Sequence, residues 1–479
     1  MKSIDDILDP VLLRRFDCFP LELKDQTLYL AVSKHFEPDT VDTLTDFTGY
    51  QIVTETYPDE FIEEKLQSLS KDNTASQVTE LSEPLAFFRD IKNPIEHYLQ
   101  SVIHAAIRKF ASDIHFEPQA HTFQIRFRKD GIMSIYQEPD KHLATPVISR
   151  LKLLSHVNIA ERRVPQDGRF AFSYEGRELD VRASFVPALH GESAVLRLLD
   201  KEQHERLNLS SLGMAAHHLK LLRDELDRSE GLVLVTGPTG SGKTTTLYAA
   251  LQELNKRSKK IITVEDPVEY KISGVNQVSI VPKVNRTFER SLRAILRQSP
   301  DVIMIGEIRD TETANITIEA SLTGHLVLST LHTNDAPSAI MRLVDLGAQS
   351  FLIDTALSLI ISQRLVRVVC SECVEFVPAG EYEKLLLGQL GKSFEIPKAV
   401  GCESCSHTGY QGRTGIFEML KIDDVLSEMI YQRSSLNDIY DYLKETQWQS
   451  IHADAIDKVL TGTTTLNEIL TKVDLLAAT

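Results

Sequence analysis

A loop of eight residues near the middle of the chain has the pattern of a phosphate-binding site. The loop reads Gly237-Pro238-Thr239-Gly240-Ser241-Gly242-Lys243-Thr244, which matches GxxxxGK[ST]. Its glycines let backbone N–H groups close around phosphate oxygens, while Lys243 can reach the β- and γ-phosphates and the Thr244 hydroxyl can bind Mg²⁺. An apolar run precedes the loop and a plausible helix beginning at Thr245 follows it. We therefore predict that residues 237–245 bind ATP with Mg²⁺, because this context disfavours a chance glycine-rich turn.

Carboxylates follow two of the apolar strands predicted after this loop. Glu265, Asp266 and Glu269 follow the first strand, and Glu307 follows the second. Ligands of parallel sheets bind at the carboxyl ends of the strands, so these groups can orient water or Mg²⁺. The usual position of a metal-binding aspartate is occupied by Gly306, which makes Glu307 the candidate to polarise the attacking water. A helix cap and turn is the alternative for the first three carboxylates.

Arginines and histidines near these strands are further candidates for contact with phosphate. Arg290, Arg293 and Arg297 have the spacing of one helix face, which fits either a solvated charged face or arginine fingers. His325 and His332 bracket an apolar strand. We predict that the two histidines sense the nucleotide, with a purely structural role as the alternative.

Four of the five cysteines form two closely spaced pairs. Cys370 and Cys373 form one C-x-x-C pair, Cys402 and Cys405 form the other, and 28 residues separate the pairs. Four thiolates can hold one tetrahedral Zn²⁺ with no open position, as in structural zinc sites. We therefore predict a zinc site, with redox-active or unused thiols as the alternatives.

Composition argues against several classes of protein. The 479 residues suffice for about three domains, and 52 basic against 68 acidic residues give a net charge of −16. This balance argues against a general affinity for nucleic acid or anionic lipid. The N-terminus carries acidic residues where a signal peptide is apolar, and no run of 18 apolar residues occurs. We expect a cytoplasmic protein that binds no nucleic acid.

Changes of pattern along the chain predict a series of α/β domains. Residues 1–70 contain strands and a helix but no catalytic signature, which favours a partner-docking domain. The alternation around Arg182 predicts a strand whose polar face either is solvated or meets phosphate. The predicted order is the docking domain (1–70), a polar linker (71–84), a second α/β domain (85–203), a nucleotide-binding domain with a parallel sheet (204–365), a cysteine subdomain (366–418) and a helical region (419–479).

Together these motifs resemble those of the secretion ATPases of type II secretion systems and type IV pilus assembly, the GspE/PilB family. The resemblance covers about 85–420 and also rests on residues 111–118 (ASDIHFEP), 126–131 (RFRKDG), 165–169 (PQDGR) and 190–192 (HGE). It implies an α/β fold in which a small N-terminal α/β domain and a PAS-like α/β domain precede a RecA-like P-loop ATPase domain with a tetracysteine zinc insert. It also implies a homohexamer in which two domains hold each nucleotide.

The resemblance also implies roles for individual residues. Glu307 would be the catalytic glutamate. The residues implied in catalysis and nucleotide sensing are Lys243, Glu265, Asp266, Glu269, Glu307, His325 and His332. Arg169 and Arg182 of the second domain would join Arg293 and Arg297 around the phosphates.

The cysteine insert and the short N-terminal region indicate which branch of this family the chain resembles. The insert resembles the assembly ATPases and is absent from the pilus-retraction branch, and a single small N-terminal domain favours type II secretion. The resemblance then implies that ATP hydrolysis drives pseudopilus assembly and protein export, while residues 1–70 dock on an inner-membrane platform protein. A type IV pilus assembly ATPase, a nucleic-acid translocating P-loop motor and a non-enzymatic scaffold are the alternatives.

Overall fold

A computed structural model describes residues 94–200 and 208–473 continuously. Nearer the N-terminus it describes 18–24, 27–33 and 50–58 and the separate positions 36, 41, 45, 61, 62 and 65. The linker predicted at 71–84 lies outside the described residues. The chain divides into two compact units, Met1–Leu199 and Asp200–Thr479. Among the described residues, no helix has the length and apolar character needed to cross a membrane.

The described N-terminal residues form a sheet of three strands, β1 (Cys18–Lys24), β2 (Thr27–Val32) and β3 (Gln51–Thr56). β1 pairs antiparallel with β2, and β2 pairs parallel with β3. β2 and β3 are the strands expected from the sequence. β1 was not predicted from the sequence. Its register shifts just after Pro20, and this irregularity interrupts the alternation of apolar and polar residues.

Six further strands of the first unit form a second sheet. They are β4 (Asp113–Pro118), β5 (Phe123–Lys129), β6 (Ile132–Gln137), β7 (Gln166–Tyr174), β8 (Arg177–Ala188) and β9 (Gly191–Asp200), in the order β6-β5-β4-β9-β8-β7. Helices α1 (Pro94–Arg108) and α2 (Ala144–Leu154) contribute to the same core as these strands. The alternation predicted around Arg182 holds, because Leu179, Val181 and Ala183 are buried while Asp180 and Arg182 are only half-buried. A likeness to PAS domains stays a prediction.

The second unit is built around a sheet of seven strands. These are β10 (Gly231–Thr236), β11 (Ile261–Glu265), β12 (Asn276–Ser279), β13 (Val302–Ile305), β14 (Leu326–Leu331), β15 (Leu357–Val369) and β18 (Tyr410–Lys421), in the order β12-β11-β13-β14-β10-β15-β18. The first six are parallel to their neighbours, and β18 is antiparallel to β15. Strands β10, β11, β13 and β14 are buried throughout, as apolar runs covered on both faces should be. The α/β fold with a parallel sheet is confirmed.

Helices follow most strands of this sheet, and several begin at a side chain that caps them. They are α3 (Ala216–Leu226), α4 (Lys243–Leu254), α5 (Phe288–Ile295), α6 (Thr311–Leu322), α7 (Ala336–Asp345), α8 (Ser350–Ala356), α9 (Glu381–Leu386), α10 (Asp424–Tyr431), α11 (Leu436–Glu445), α12 (Ile451–Leu460) and α13 (Leu466–Leu470). Thr287, Asp310, Asp335, Asp423 and Ser435 each accept a hydrogen bond from a backbone N–H in the first turn. The helical pattern predicted for 419–479 is therefore present up to Leu470.

The seven-stranded sheet continues beyond residue 365. β15 runs across the boundary predicted between 365 and 366, and β18 runs across the one predicted between 418 and 419. Both strands are largely buried because α10 and α11 pack with one side of the sheet's core, and α12 and α13 pack with a smaller cluster that includes Val366 and Ile416. Between β15 and β18 the chain forms a hairpin of β16 (Val374–Pro378) and β17 (Glu395–Ala399), with one cysteine pair before β16 and the other after β17.

Candidate functional site

The phosphate-binding loop connects the end of β10 to the start of α4. Gly237, Gly240 and Gly242 all have positive φ, between 79° and 144°. A Cβ at Gly237 would lie 2.3 Å from the carbonyl oxygen of Gln363, and one at Gly242 would lie 2.8 Å from the amide nitrogen of that side chain. The loop therefore requires glycine at both places for backbone conformation and for close packing against β15.

The polar groups of the loop suit a bound polyphosphate. Lys243 is buried, and its Nζ donates to the carbonyl oxygens of Gly237, at 2.7 Å, and Pro238, at 3.2 Å. Burial lowers the pKa of Lys243, and the nearby Glu307 carboxylate partly opposes this shift. The hydroxyl oxygen of Ser241 is buried without a hydrogen-bond partner, which suits a loop whose acceptor is a ligand.

The residues after Lys243 differ in what their hydroxyl groups contact. Thr244 lies in the first turn of α4 and is exposed, so its hydroxyl group is open to a ligand. Thr245 is half-buried. Thr246 is buried and donates to the side-chain oxygen of Gln363 at 2.6 Å, so it attaches the helix to β15.

Glu307 and His332 lie together beside the loop. His332 Nε2 is 3.1 Å from Glu307 Oε2, and His332 Nδ1 is 3.4 Å from Lys243 Nζ. Because an ammonium group only donates, Nδ1 must accept, which leaves the ring proton on Nε2 to be donated to Glu307. The other oxygen of Glu307 pairs with Arg309. Although burial opposes the shift, the hydrogen bonds from Arg309 and His332 hold the pKa of Glu307 below its ordinary value.

The three residues of the acidic segment after β11 occupy different environments. Glu265 is buried and accepts hydrogen bonds from Tyr248, from Thr263 at 2.5 Å and from Gln277 at 3.2 Å. Burial raises the pKa of Glu265. Asp266 is exposed, and Arg309 lies 3.9 Å from it.

Glu269 is half-buried, and its backbone N–H donates to the hydroxyl oxygen of Tyr248 at 3.2 Å. The contact between the acidic segment and the Glu307 site is made by Asp266, because Arg309 lies beside Asp266 and pairs with Glu307.

The structure does not bring His325 to this site. Its backbone carbonyl accepts a hydrogen bond from Gly231, which begins β10, whereas the phosphate-binding loop follows the other end of that strand. Its Nδ1 lies 2.9 Å from the carbonyl oxygen of Ala320 and 3.2 Å from the Thr323 hydroxyl. A strand of six residues is about 20 Å long, so His325 and His332, which precede and follow β14, lie about that far apart at its opposite ends. Of the two histidines, only His332 contacts the loop within one chain, and a sensing role for His325 stays a prediction.

The four candidate arginines are divided between the two units, and the two in the second unit have partners other than Glu307. Arg293 is on α5 and pairs with Glu289 at 3.1 Å. Arg297 is in a 3-10 turn after α5, so the predicted single helical face ends before it. Arg169 and Arg182 belong to the first unit, where β7 and β8 place them directly opposite each other.

Arg309 and Gln363 contact the site residues but carry no role in the sequence-based assignment. Arg309 lies two residues after Glu307 in a loop, where no helical or strand periodicity indicates that the two side chains meet. Gln363 lies in the middle of β15, far along the chain from the loop that it contacts. The one signal in the sequence was that Arg309 lies two residues from the candidate acid Glu307.

The four cysteines of the C-x-x-C pairs form one cluster. Their sulfur atoms all lie within 4.8 Å of one another, and three of the separations are 3.8–3.9 Å. Tetrahedral Zn–S bonds of about 2.3 Å give sulfur separations of about 3.8 Å, far longer than a disulfide bond. Although burial opposes it, backbone N–H donors from Cys402 and Gly409 lower the pKa of Cys405 to about 6. The cluster can hold a metal ion.

Comparisons with known proteins agree with this arrangement. The type II secretion system protein E of Aeromonas hydrophila and the type II secretion system ATPase E of Vibrio cholerae are each 48% identical over 378 residues, which are 79% of this chain and 75% of the relative. The crystal structure of the pilus retraction motor PilT with bound ADP superposes with a TM-score of 0.53 and 27% identity, covering 78% of this chain and 96% of that chain.

A second solved structure supports the fold alone. The Legionella pneumophila ATPase DotB has a TM-score of 0.58 and 21% identity, covering 80% of this chain and 96% of that chain. The family profile described as MshEN domain matches residues 2–74. The profile described as Type II/IV secretion system protein matches residues 89–471, so the chain belongs to the type II/IV secretion system protein family.

Proposed function

We propose that the chain hydrolyses ATP to drive pseudopilus assembly and protein export by a type II secretion system. The observation that carries the catalytic part is the continuous contact from Lys243 through His332 to Glu307 beside the phosphate-binding loop. Lys243 and the backbone N–H groups of the loop would bind the phosphates. Glu307 would accept the proton of the attacking water, and His332 would orient that carboxylate.

Thr244 is the side chain that would hold Mg²⁺ together with phosphate oxygens and water. It is exposed at the start of α4, and hydroxyl and carboxylate oxygens are the ligands Mg²⁺ takes in proteins. The cation would neutralise charge on the β- and γ-phosphates. Gly306 occupies the usual aspartate position, and the acids that follow the neighbouring strand β11 without being buried are Asp266 and Glu269.

The arginine assignments support a homohexamer in which a nucleotide lies between domains. Arg169 and Arg182 are directly opposite each other on β7 and β8, so both side chains lie on one face of the sheet, where a single phosphate group can contact them. Arg293 and Arg297 lie outside the Glu307 cluster of their own chain, so they would act on phosphate through rearrangement or a neighbouring copy.

The secretion assignment rests on the relatives. The most similar ones reported above are named as type II secretion proteins, and the match extends over most of both chains. We propose that residues 2–74, which match the MshEN domain, dock on an inner-membrane platform protein. The chain would then act on the cytoplasmic side, peripherally bound to the inner membrane.

Pilus assembly is the second candidate function. The superposition on a pilus retraction motor at 27% identity favours a motor of that wider group. Replacement of the gene in its host by one that encodes Glu307→Gln distinguishes the two functions. Loss of exported proteins with intact pili supports secretion, and loss of pili with intact export supports pilus assembly.

Phosphate release from ATP by the purified full chain tests the catalytic proposal. The wild type should turn over ATP with Mg²⁺, and Lys243→Ala should lose turnover, because the phosphates lose their cation. Lys256→Ala, a change of an exposed lysine after α4, serves as the control and should be active. Full activity of Lys243→Ala would remove the loop from the reaction.

The same preparations test the proposed Zn²⁺ site by elemental analysis. The wild type should contain one zinc per chain, and Cys402→Ser should contain little, because three thiolates leave the tetrahedral site incomplete. Cys18→Ser, which changes the fifth cysteine, should keep its zinc. Equal zinc in Cys402→Ser and the wild type would contradict the site.

A further inference from the structure

Five charged or polar side chains form one line of contacts across the carboxyl ends of the central strands. Asp266 contacts Arg309 at 3.9 Å, and Arg309 pairs with Glu307. Glu307 contacts His332 at 3.1 Å, and His332 contacts Lys243 at 3.4 Å. The line crosses β11, β13, β14 and the start of α4, and Arg309 is the member to which no role has been given.

The backbone on both sides of Arg309 is held in place. Ile308 is buried, and its N–H donates to the carbonyl oxygen of Thr330 at 3.0 Å. Asp310 caps α6 by accepting from the N–H of Thr313 at 2.7 Å. Since both neighbours are fixed by the sheet and by a helix, the Cα–Cβ direction of Arg309 is fixed as well.

Arg309 contacts two carboxylates that lie on different strand ends. Its guanidinium nitrogens provide several donors in a planar fork, so one side chain can hold Glu307 while remaining beside Asp266. Glu307 has both oxygens engaged, one by Arg309 and the other by His332. Two donors on opposite oxygens leave the carboxylate a single orientation.

We propose that Arg309 is a positioning residue of the ATPase site, which orients Glu307 towards the attacking water and is itself oriented by Asp266. The inference rests on the proposed ATPase function. A surface ion pair elsewhere in the unit, Arg223 with Glu253 at 2.7 Å, is likewise formed by an arginine and a carboxylate, but it joins α3 to the far end of α4 and includes none of the five side chains of this line. Arg309 therefore differs from Arg223 in its partner, because Glu307 contacts His332, which in turn contacts Lys243 of the loop.

Removal of Arg309 changes Glu307 in two ways. The carboxylate keeps His332 as a hydrogen-bond partner but loses the donor on its other oxygen, so its orientation becomes less defined. The groups that face it are then the imidazole of His332 and the ammonium group of Lys243. The pKa of Glu307, which hydrogen bonds from Arg309 and His332 hold below its ordinary value, should rise.

Steady-state ATP hydrolysis by the full chain tests the inference. Arg309→Ala should lower kcat about 10- to 100-fold, because misplacement of a catalytic group by about 1 Å costs that much. KM for ATP should change little, since Arg309 acts on Glu307 and not on the nucleotide. Arg309→Lys should recover part of kcat, because it keeps the charge without the planar fork. Asp266→Asn should lower kcat in the same direction by a smaller factor.

The pH profile separates positioning from a general structural effect. The acid limb of kcat should move to higher pH in Arg309→Ala, because the Glu307 carboxylate then protonates more readily. Arg223→Ala is the matched control and should keep both kcat and the acid limb. Because Arg309 is largely exposed, both variants should unfold in urea at the wild-type midpoint.

Two outcomes would overturn the inference while the proposed function stands. In the first, wild type turns over ATP and Glu307→Gln does not, but Arg309→Ala keeps the wild-type kcat. In the second, Arg309→Ala raises KM with kcat unchanged, which would make Arg309 a nucleotide contact. A wild type without ATP turnover would instead overturn the proposed function itself.

Discussion

Glu265 and Glu307 lie at the ends of two adjacent parallel strands, yet they have opposite environments. Glu265 ends β11, is buried, and takes its hydrogen bonds from neutral donors on Tyr248, Thr263 and Gln277. Glu307 follows β13 and is held by Arg309 and His332. Burial raises the pKa of Glu265, whereas the hydrogen bonds of Arg309 and His332 keep that of Glu307 low.

The difference lies in which way each side chain points, not in the type of residue. Glu265 is the last residue of a strand that is buried on both faces, so its carboxyl group belongs to the packing beneath the site. Glu307 is one residue beyond Gly306, whose N–H still donates to the carbonyl oxygen of Val264 at 2.8 Å. The chain leaves the sheet there, and the next side chain reaches the loop. One carboxylate packs beneath the site, and the other faces the loop, where we propose that it acts on the attacking water.

Replacement of Glu307 should have the largest effect on catalysis. Glu307→Gln should lower kcat for ATP hydrolysis about 10²- to 10⁴-fold, because the group that accepts the proton is lost. ATP binding and the urea midpoint should stay near the wild-type values, since the amide has the size of the carboxylate and both donors, on Arg309 and His332, are exposed enough to bond water instead. Phosphate release and nucleotide titration measure the two properties.

A matched substitution keeps this prediction specific. Glu312 is an exposed acid in the first turn of α6, five residues along the chain from Glu307. Glu312→Gln should hydrolyse ATP at the wild-type rate. If Glu307→Gln also did so, the distinction between the two strand-end carboxylates would have no catalytic meaning.

Most of the sheet could be predicted from the sequence, because parallel strands covered on both faces are continuous apolar runs. The phosphate-binding loop and the cysteine pairs were equally accessible, since their spacing is local. The side-chain direction of Glu265 was not, because the three acids within residues 265–269 look alike until the end of β11 is placed. His325 shows a further limit: residues that bracket a strand lie at its two opposite ends, so only the one that follows it can meet the loop.

A third carboxylate, Glu418 on β18, extends the comparison to a deeply buried position. Its two oxygens accept from the first N–H groups of two helices, at Ala336 of α7 (2.6 Å) and Ile451 of α12 (2.9 Å). It is 1% exposed, and burial raises its pKa to about 7 although these donors oppose the shift. Like Glu265, it supports the fold from within.

The stability of the second unit should therefore depend on the protonation of Glu418. The folded pKa of about 7 is above the ordinary 4.5, so the folded state holds the proton more tightly and the free energy of unfolding falls as pH rises between these values. This group alone accounts for a fall of about 3 kcal/mol over that window. Urea unfolding at several pH values, followed by fluorescence of Trp448, measures it, because Trp448 is the only tryptophan and belongs to the same unit.

Glu418→Gln should flatten this dependence. The amide does not titrate, but it places an NH₂ group against one of the two backbone N–H donors, so the variant is less stable than wild type at low pH. The difference should narrow as pH approaches 7. The same slope of stability against pH in both proteins would contradict the assignment to Glu418.

Replacement of Glu265 should have the smallest effect of these substitutions. It should lower the free energy of unfolding more than it lowers ATP turnover. Glu265→Gln turns an amide NH₂ towards the donors on Tyr248, Thr263 or Gln277, which should cost about 1–3 kcal/mol of unfolding free energy. Tyr248→Phe removes the hydroxyl that bonds Glu265 and accepts from the N–H of Glu269, and should cost about 1 kcal/mol. Because the two side chains share one hydrogen bond, the double variant should lose less than the sum of the two. A kcat that falls in Glu265→Gln as far as in Glu307→Gln would place both carboxylates at the reacting water and remove the contrast between the two strand ends.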